Sequence, residues 1–136
     1  MANIELTGVY RQMQRRFSVE GAGLTRFEED FIASVNMATR RINKDADLET
    51  RIDMMTATTD TVGLDDAYLD VLFEVAAVYM AKMGQRPARG DEEDMVKSEN
   101  DIPMMINSIR RDILNRAQAA DTDDTAMLVG LGGLGD

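Results

Sequence analysis

The chain has no cysteine, no histidine and no tryptophan among its 136 residues, and only two prolines. Without cysteine there is no disulfide framework and no thiolate nucleophile. Without histidine, the usual general base, the switch that titrates near neutral pH and the commonest transition-metal ligand all go together. A basic start followed by a long apolar run is also missing, so the expected setting is cytoplasmic. Cations are scarce: 15 Lys and Arg stand against 25 Asp and Glu, a net charge of −10. The imbalance is uneven, because residues 1–44 carry +2 and residues 45–136 carry −12. Gripping nucleic acid rests on releasing phosphate counterions with Lys and Arg, and this composition argues against it. Such acidity suits plain solubility, or a surface past which nucleic acid slides without sticking.

What is there is organised around residues 64–83, LDDAYLDVLFEVAAVYMAKM, in which only Asp65, Asp66, Asp70, Glu74 and Lys82 are neither apolar nor aromatic. Asp66, Asp70, Glu74 and Lys82 are spaced by four, four and eight, one narrow polar stripe on a helix. The rest of that helix needs cover, from its own chain or from sister subunits. Twenty residues is also the length of a membrane span. Carboxylates near the middle, at about 2.5–3.5 kcal/mol each, exclude that reading. The first-turn acids suit the helix dipole, and Gly84 stands where a C-terminal cap belongs.

A first helix is expected over residues 3–17, with Ile4, Val9, Tyr10, Met13 and Phe17 on its apolar face. Arg11, Arg15 and Arg16 cluster on its polar side. Their simplest account is a solvated face; the functional one is a docking patch for an acidic partner. A second helix is expected from Thr25, in capping-box register with Glu28, to about Lys44, with Phe27, Phe31, Val35, Ala38 and Ile42 inward. Residues 46–55 suit a short helix, and 56–62, TATTDTV, an extended segment lying across the helices. After the central helix, a loop holds Pro87. Residues 91–98 suit a short helix, and Asp101 caps a last helix that tolerates Pro103 in its first turn and runs to about Ala120. Ile102, Met105, Ile106, Ile109, Ile113 and Ala117 form its apolar face, and Arg110, Arg111 and Arg116 its solvated side. The last sixteen residues, DTDDTAMLVGLGGLGD, hold four glycines and too few hydrophobes for a core, and read as a mobile tail. Met127, Leu128, Val129, Leu131 and Leu134 make that tail a candidate contact with a partner.

The expected architecture is therefore all-α: a bundle of four to five helices over residues 1–120, with an extended internal segment and a flexible Gly-rich tail over 121–136. Gly130, Gly132 and Gly135 spell GxGxxG, but no helix follows them, so the dinucleotide fingerprint fails. The acidic run from Asp45 lacks the glycine and the closing glutamate of a calcium loop. Asp66, Asp70 and Glu74 are the best carboxylates for metal or acid–base work, but the Glu-x-x-His ligands of a di-metal bundle are absent. No enzyme, cofactor or metal site is expected. The eleven methionines suit a core, or an adaptable interface.

Short helices, the extended stretch RIDMMTATTDTVGL, a long apolar helix in DDAYLDVLFEVAAVYMAKMGQ and a final helix with a loose tail resemble the head-to-tail adaptor (connector) proteins of tailed bacteriophages. The resemblance covers residues 25–120. It implies a virion neck protein, made in the host cytoplasm, that forms a ring of about twelve copies under the capsid portal. Such a ring contacts the portal protein, the tail or stopper proteins and itself. It extends the channel through which DNA passes without specific binding, and it has no membrane partner. On that reading Asp66, Asp70 and Glu74 face the channel or a neighbour's arginines, and part of the central helix is covered by sister subunits. The competing reading is a non-viral, acidic helical module that binds another protein as a regulator or scaffold.

Overall fold

A computed structural model describes residues 2–18, 23–46, 48, 50–86 and 99–131, with side chains described as far as Ala119. The chain is mainly helical, as composition and periodicity require, with a two-stranded antiparallel sheet added. The order is β1 (Asn3–Glu5), α1 (Leu6–Arg16), α2 (Leu24–Asp45), β2 (Thr61–Asp65), α3 (Leu69–Lys82) and α4 (Ile102–Leu131). Single 3-10 turns, Asp66–Tyr68 and Glu99–Asp101, lead into α3 and α4.

The expected first helix begins three residues late because Asn3–Glu5 is a strand. Ile4 pairs with Val62 and Glu5 with Thr61, with an irregularity between Asn3 and Ile4. The pairing continues at both ends: Leu6 N–H donates to the Asp60 carbonyl (3.0 Å) and Asp66 N–H to the Ala2 carbonyl (2.9 Å). Ile4, Val62 and Leu64 are buried from this ladder, while Glu5, Thr61 and Gly63 face out, the alternation of a half-buried strand. Backbone ladder bonds from a partner sixty residues away outweigh a local helical preference at a chain end.

Along α1, Leu6, Val9 and Met13 are buried, and Phe17 follows them just past its end. Tyr10 meets Phe31, with ring centroids 4.9 Å apart and planes at 49°, and Phe17 meets Phe27 at 6.4 Å. These tilted pairs join α1 to α2 and are worth about 0.5–1.5 kcal/mol each beyond their area. In α2 the buried face is the expected Phe27, Phe31, Val35, Ala38 and Ile42, widened by Ser34 and Thr39. Its N-cap is Gly23, with no side-chain cap, so Thr25 lies inside the first turn and the expected capping box is not formed.

Residues 50–60 are not helical. They are tied to α2 by two asparagines. Asn43 Nδ2 donates to the Ile52 carbonyl (2.9 Å) while its Oδ1 accepts from Ile52 N–H (2.8 Å). Asn36 does the same to Met55, at 2.9 and 2.7 Å. Each carboxamide satisfies both backbone groups of one residue, as a neighbouring strand would. Ile52 and Met55 are thereby held in the core. The expected crossing segment exists, but it is pinned by side chains before it reaches β2.

At the centre lies α3, in which Leu72, Phe73 and every residue from Val75 to Met80 are buried. α1, α2 and α4 all pack on it. Its first turn is expected at Leu64 but comes at Leu69, because Thr61–Asp65 is engaged as β2. It ends at Gly84, whose φ of +95° is the left-handed conformation of a helix stop. The apolar surplus of this helix is covered by its own chain, which corrects the expectation that sister subunits would supply part of the cover. α4 closes the bundle with Ile102, Ile106 and Ile109 buried and Met105 and Ile113 packed at the margin, while Ala117 is exposed rather than inward. It continues through Leu131, past the helix end expected near Ala120. Of the tail's glycines only Gly130 falls within it, and the cluster that starts at Gly132 follows its end.

Candidate functional site

The acidic stripe is divided by the fold. Asp66 sits in the turn before α3 and Asp70 in its first turn, and both are exposed. Glu74 is turned into the chain instead. Arg16 Nη1 lies 3.0 Å from Glu74 Oε1 and 3.2 Å from Oε2, and its guanidinium stands 4.8 Å from the Phe73 ring centre. Both side chains are about three-quarters covered, so this tie from α1 to α3 is less screened than a surface pair. The arginine that Glu74 faces is therefore its own, correcting the expectation of a neighbour's arginine. The same contact removes Arg16 from the docking patch of α1 and leaves Arg11 and Arg15, both exposed. Lys82, the last member of the stripe, bridges to Glu99 at 2.6 Å and holds that carboxyl below its ordinary range.

A second polar cluster joins the start of α3 to α4. Tyr68 Oη donates to Asp112 Oδ2 at 2.6 Å. Arg116 Nε lies 3.1 Å from Asp112, Arg116 Nη1 lies 3.4 Å from Asp65, and the guanidinium stacks 5.8 Å from the Tyr68 ring centre. Burial, then the bond to Asp112, pushes the Tyr68 phenol up to about 12, so it is a neutral donor at physiological pH. Asp65 is held low, first by the Ala67 N–H that its carboxylate accepts and further by Arg116. Sequence reasoning placed Arg116 on a solvated side. The spacing of Asp112 and Arg116 by four was a visible signal for a helical pair, but their partners in residues 65–68 lie far away in sequence.

Sequence reasoning also missed the exposed methionines. Met13, Met55 and Met80 are core, but Met37, Met54 and Met104 are 39%, 67% and 77% exposed. Met37, Arg40 and Lys44 share one outward stripe of α2 at spacings of three and four. On one side of that stripe, a hollow of about 80 Å³ is bounded by Arg40, Arg51 and Met54. On the other, a wider groove of about 660 Å³ is bounded by Lys44, Met104 and Arg110. Arg40, Lys44, Arg51 and Arg110 are all exposed, and none forms an ion pair with a described residue.

Met127, Leu128, Val129 and Leu131 belong to the outer part of α4, beyond the described side chains, and Leu134 lies outside the described residues. Among the described residues no group of three or more carboxylates is placed to hold a metal ion, and no helix is long and apolar enough to cross a membrane. Comparison with protein-family models, with curated proteins and with solved structures gives no match for this chain.

Proposed function

We propose that this protein is a structural adaptor of a phage neck, a ring component that joins the capsid portal to the tail and lines the passage for DNA. The observation that carries the reading is α4. Its core contacts end near Ile113, residues 114–119 are all exposed, and the helix still continues to Leu131. Residues 117–131 alone make an arm of about 22 Å. A helix that continues past its last described core residue, with 114–119 exposed, suits a subunit that meets neighbours. The order of elements supports the same reading: a short and a longer helix, a pinned crossing segment, a buried helix stopped at Gly84, and a long final helix. The exposed Asp66 and Asp70 offer a surface from which DNA phosphates are repelled. Arg11 and Arg15, together with the residues near Met127, are the contacts proposed for the portal, tail or stopper proteins.

The test is electron microscopy of the protein mixed with a portal and a tail-completion protein from a tailed phage that encodes it. The expected result is a ring of about twelve copies seated on the portal. A protein that stays monomeric and unattached there, or that instead captures a non-virion regulatory partner as a simple pair, would overturn the proposal.

A further inference from the structure

Three of the five large hydrophobic side chains exposed among the described residues are Met37, Met54 and Met104. Met37 lies with Arg40 and Lys44 on the outward ridge of α2; Met54 and Arg51 line the hollow that holds Arg40, and Met104 and Arg110 the separate groove that holds Lys44. The described acids beside the ridge are Asp45, which Arg41 engages at 3.4 Å, and Asp53. In a chain of net charge −10, exposed methionines beside four cations that pair with no described residue stand out. Methionine side chains adapt to an apolar partner, and surrounding cations select an acidic one.

The chain contains a segment of that chemistry. Residues 117–131, AQAADTDDTAMLVGL, hold Asp121, Asp123 and Asp124 with no cation, followed by Met127, Leu128, Val129 and Leu131. They form the outer half of α4. Met104 and Arg110 lie at the base of the same continuous helix, and Asp121 stands about 16 Å farther along it than Arg110.

We infer that the ridge of α2 receives the outer half of α4 from a second copy, so that copies join head to tail through their arms. The inference rests on the reading of the chain as a ring component and names the contact that links one copy to the next. Ridge and arm are different surfaces of one chain, so the contact is heterologous and propagates around a ring. The arm, with three aspartates and no cation, complements the charge of the ridge, and its composition of Met, Leu and Val suits exposed methionines.

The absence of native cysteine gives a clean test in the full-length chain. Met54→Cys combined with Leu128→Cys, under mild oxidation, is expected to give a ladder of covalent dimers, trimers and larger species, while either single variant gives none. A second measurement uses exposed charges. R40E with R51E is expected to weaken self-association by about tenfold in light scattering, as is D121K with D123K and D124K, and combining both sets restores it. Absence of the ladder, an intramolecular disulfide in a monomer, or charge reversal without restoration would each overturn the inference. Binding of duplex DNA abolished by R40E with R51E would assign the ridge to phosphate instead. Rings on the portal without the ladder would sink the arm contact and leave the neck reading standing; a ladder without portal attachment would do the reverse.

Discussion

Asn36 and Asn43 stand seven residues apart on α2, two turns along one face, and their carboxamides take the place of a missing strand for Ile52 and Met55. Asn43→Ala removes a donor and an acceptor at once and leaves both Ile52 backbone groups without their partner. Loss of about 1–3 kcal/mol is expected in urea denaturation, and Asn43→Asp, which keeps the acceptor but sets a negative charge against the Ile52 carbonyl, is expected to lose at least as much. Tyr68 gives a pH signature. Its phenol ionises near 10 when unfolded and is raised to about 12 in the fold, so its contribution is complete below pH 10 and drains away as pH rises toward 12. Tyr68→Phe is expected to make the alkaline fall in stability shallower. It does not abolish that fall, because burial and nearby Glu28 raise the Tyr10 phenol too. Equal alkaline slopes for the two proteins would show that burial and the bond to Asp112 do not raise the Tyr68 phenol. None of these partnerships was legible in the sequence. An asparagine or a tyrosine on a helix gives no sign of which distant backbone or carboxylate it will meet.

At the scale of elements, long periodic segments were legible and short paired ones were not. The inward face of α2 and the Ile102, Ile106, Ile109 face of α4 follow from spacing alone. β1 escaped because three residues carry no readable alternation; the first residues of β2 fall in the expected extended segment, but Leu64 and Asp65 read as the start of the central helix. The end of α3 was legible, since a glycine after an apolar helical run marks a left-handed stop. Gly84→Ala forces a side chain into that conformation at φ +95°, where no neighbouring atom lies close enough to compensate. A loss of about 1–2 kcal/mol is expected in thermal or urea unfolding. An unchanged midpoint would show that the stop relaxes to another backbone shape.

For the whole molecule, charge and topology act together. Asp60 is held low by the N–H groups of Thr56 and Ala57, Asp65 first by Ala67 and Glu99 by Lys82. A lowered carboxylate contributes fully above its unfolded value, near 4, and loses that contribution as pH falls through its folded value. Stability is therefore expected to hold or rise slightly from pH 7 to about 5, as self-repulsion in a chain of charge −10 is relieved, and to fall below about pH 4. Urea midpoints measured across that range check this, and a midpoint that keeps rising below pH 4 would show that the three carboxylates contribute little. The same scale decides the candidate site. Glu74 read as a surface acid becomes an internal tie once Arg16 is brought beside it, whereas Asp66 and Asp70 stay outside.

The sequence by itself determined that the chain is mainly helical, that residues near 72–80 form its core, that Gly84 ends that core helix, and that thiol and imidazole chemistry are excluded. These follow from composition and from periodicities that repeat within one element. Only the tertiary structure decided that α3 is covered from within, that Arg16 and Glu74 cancel one another, that residues 52 and 55 are held by asparagines, and that three methionines lie outside near exposed cations. Each of these depends on which residues, distant along the chain, end up adjacent in space, and a local pattern does not encode that adjacency.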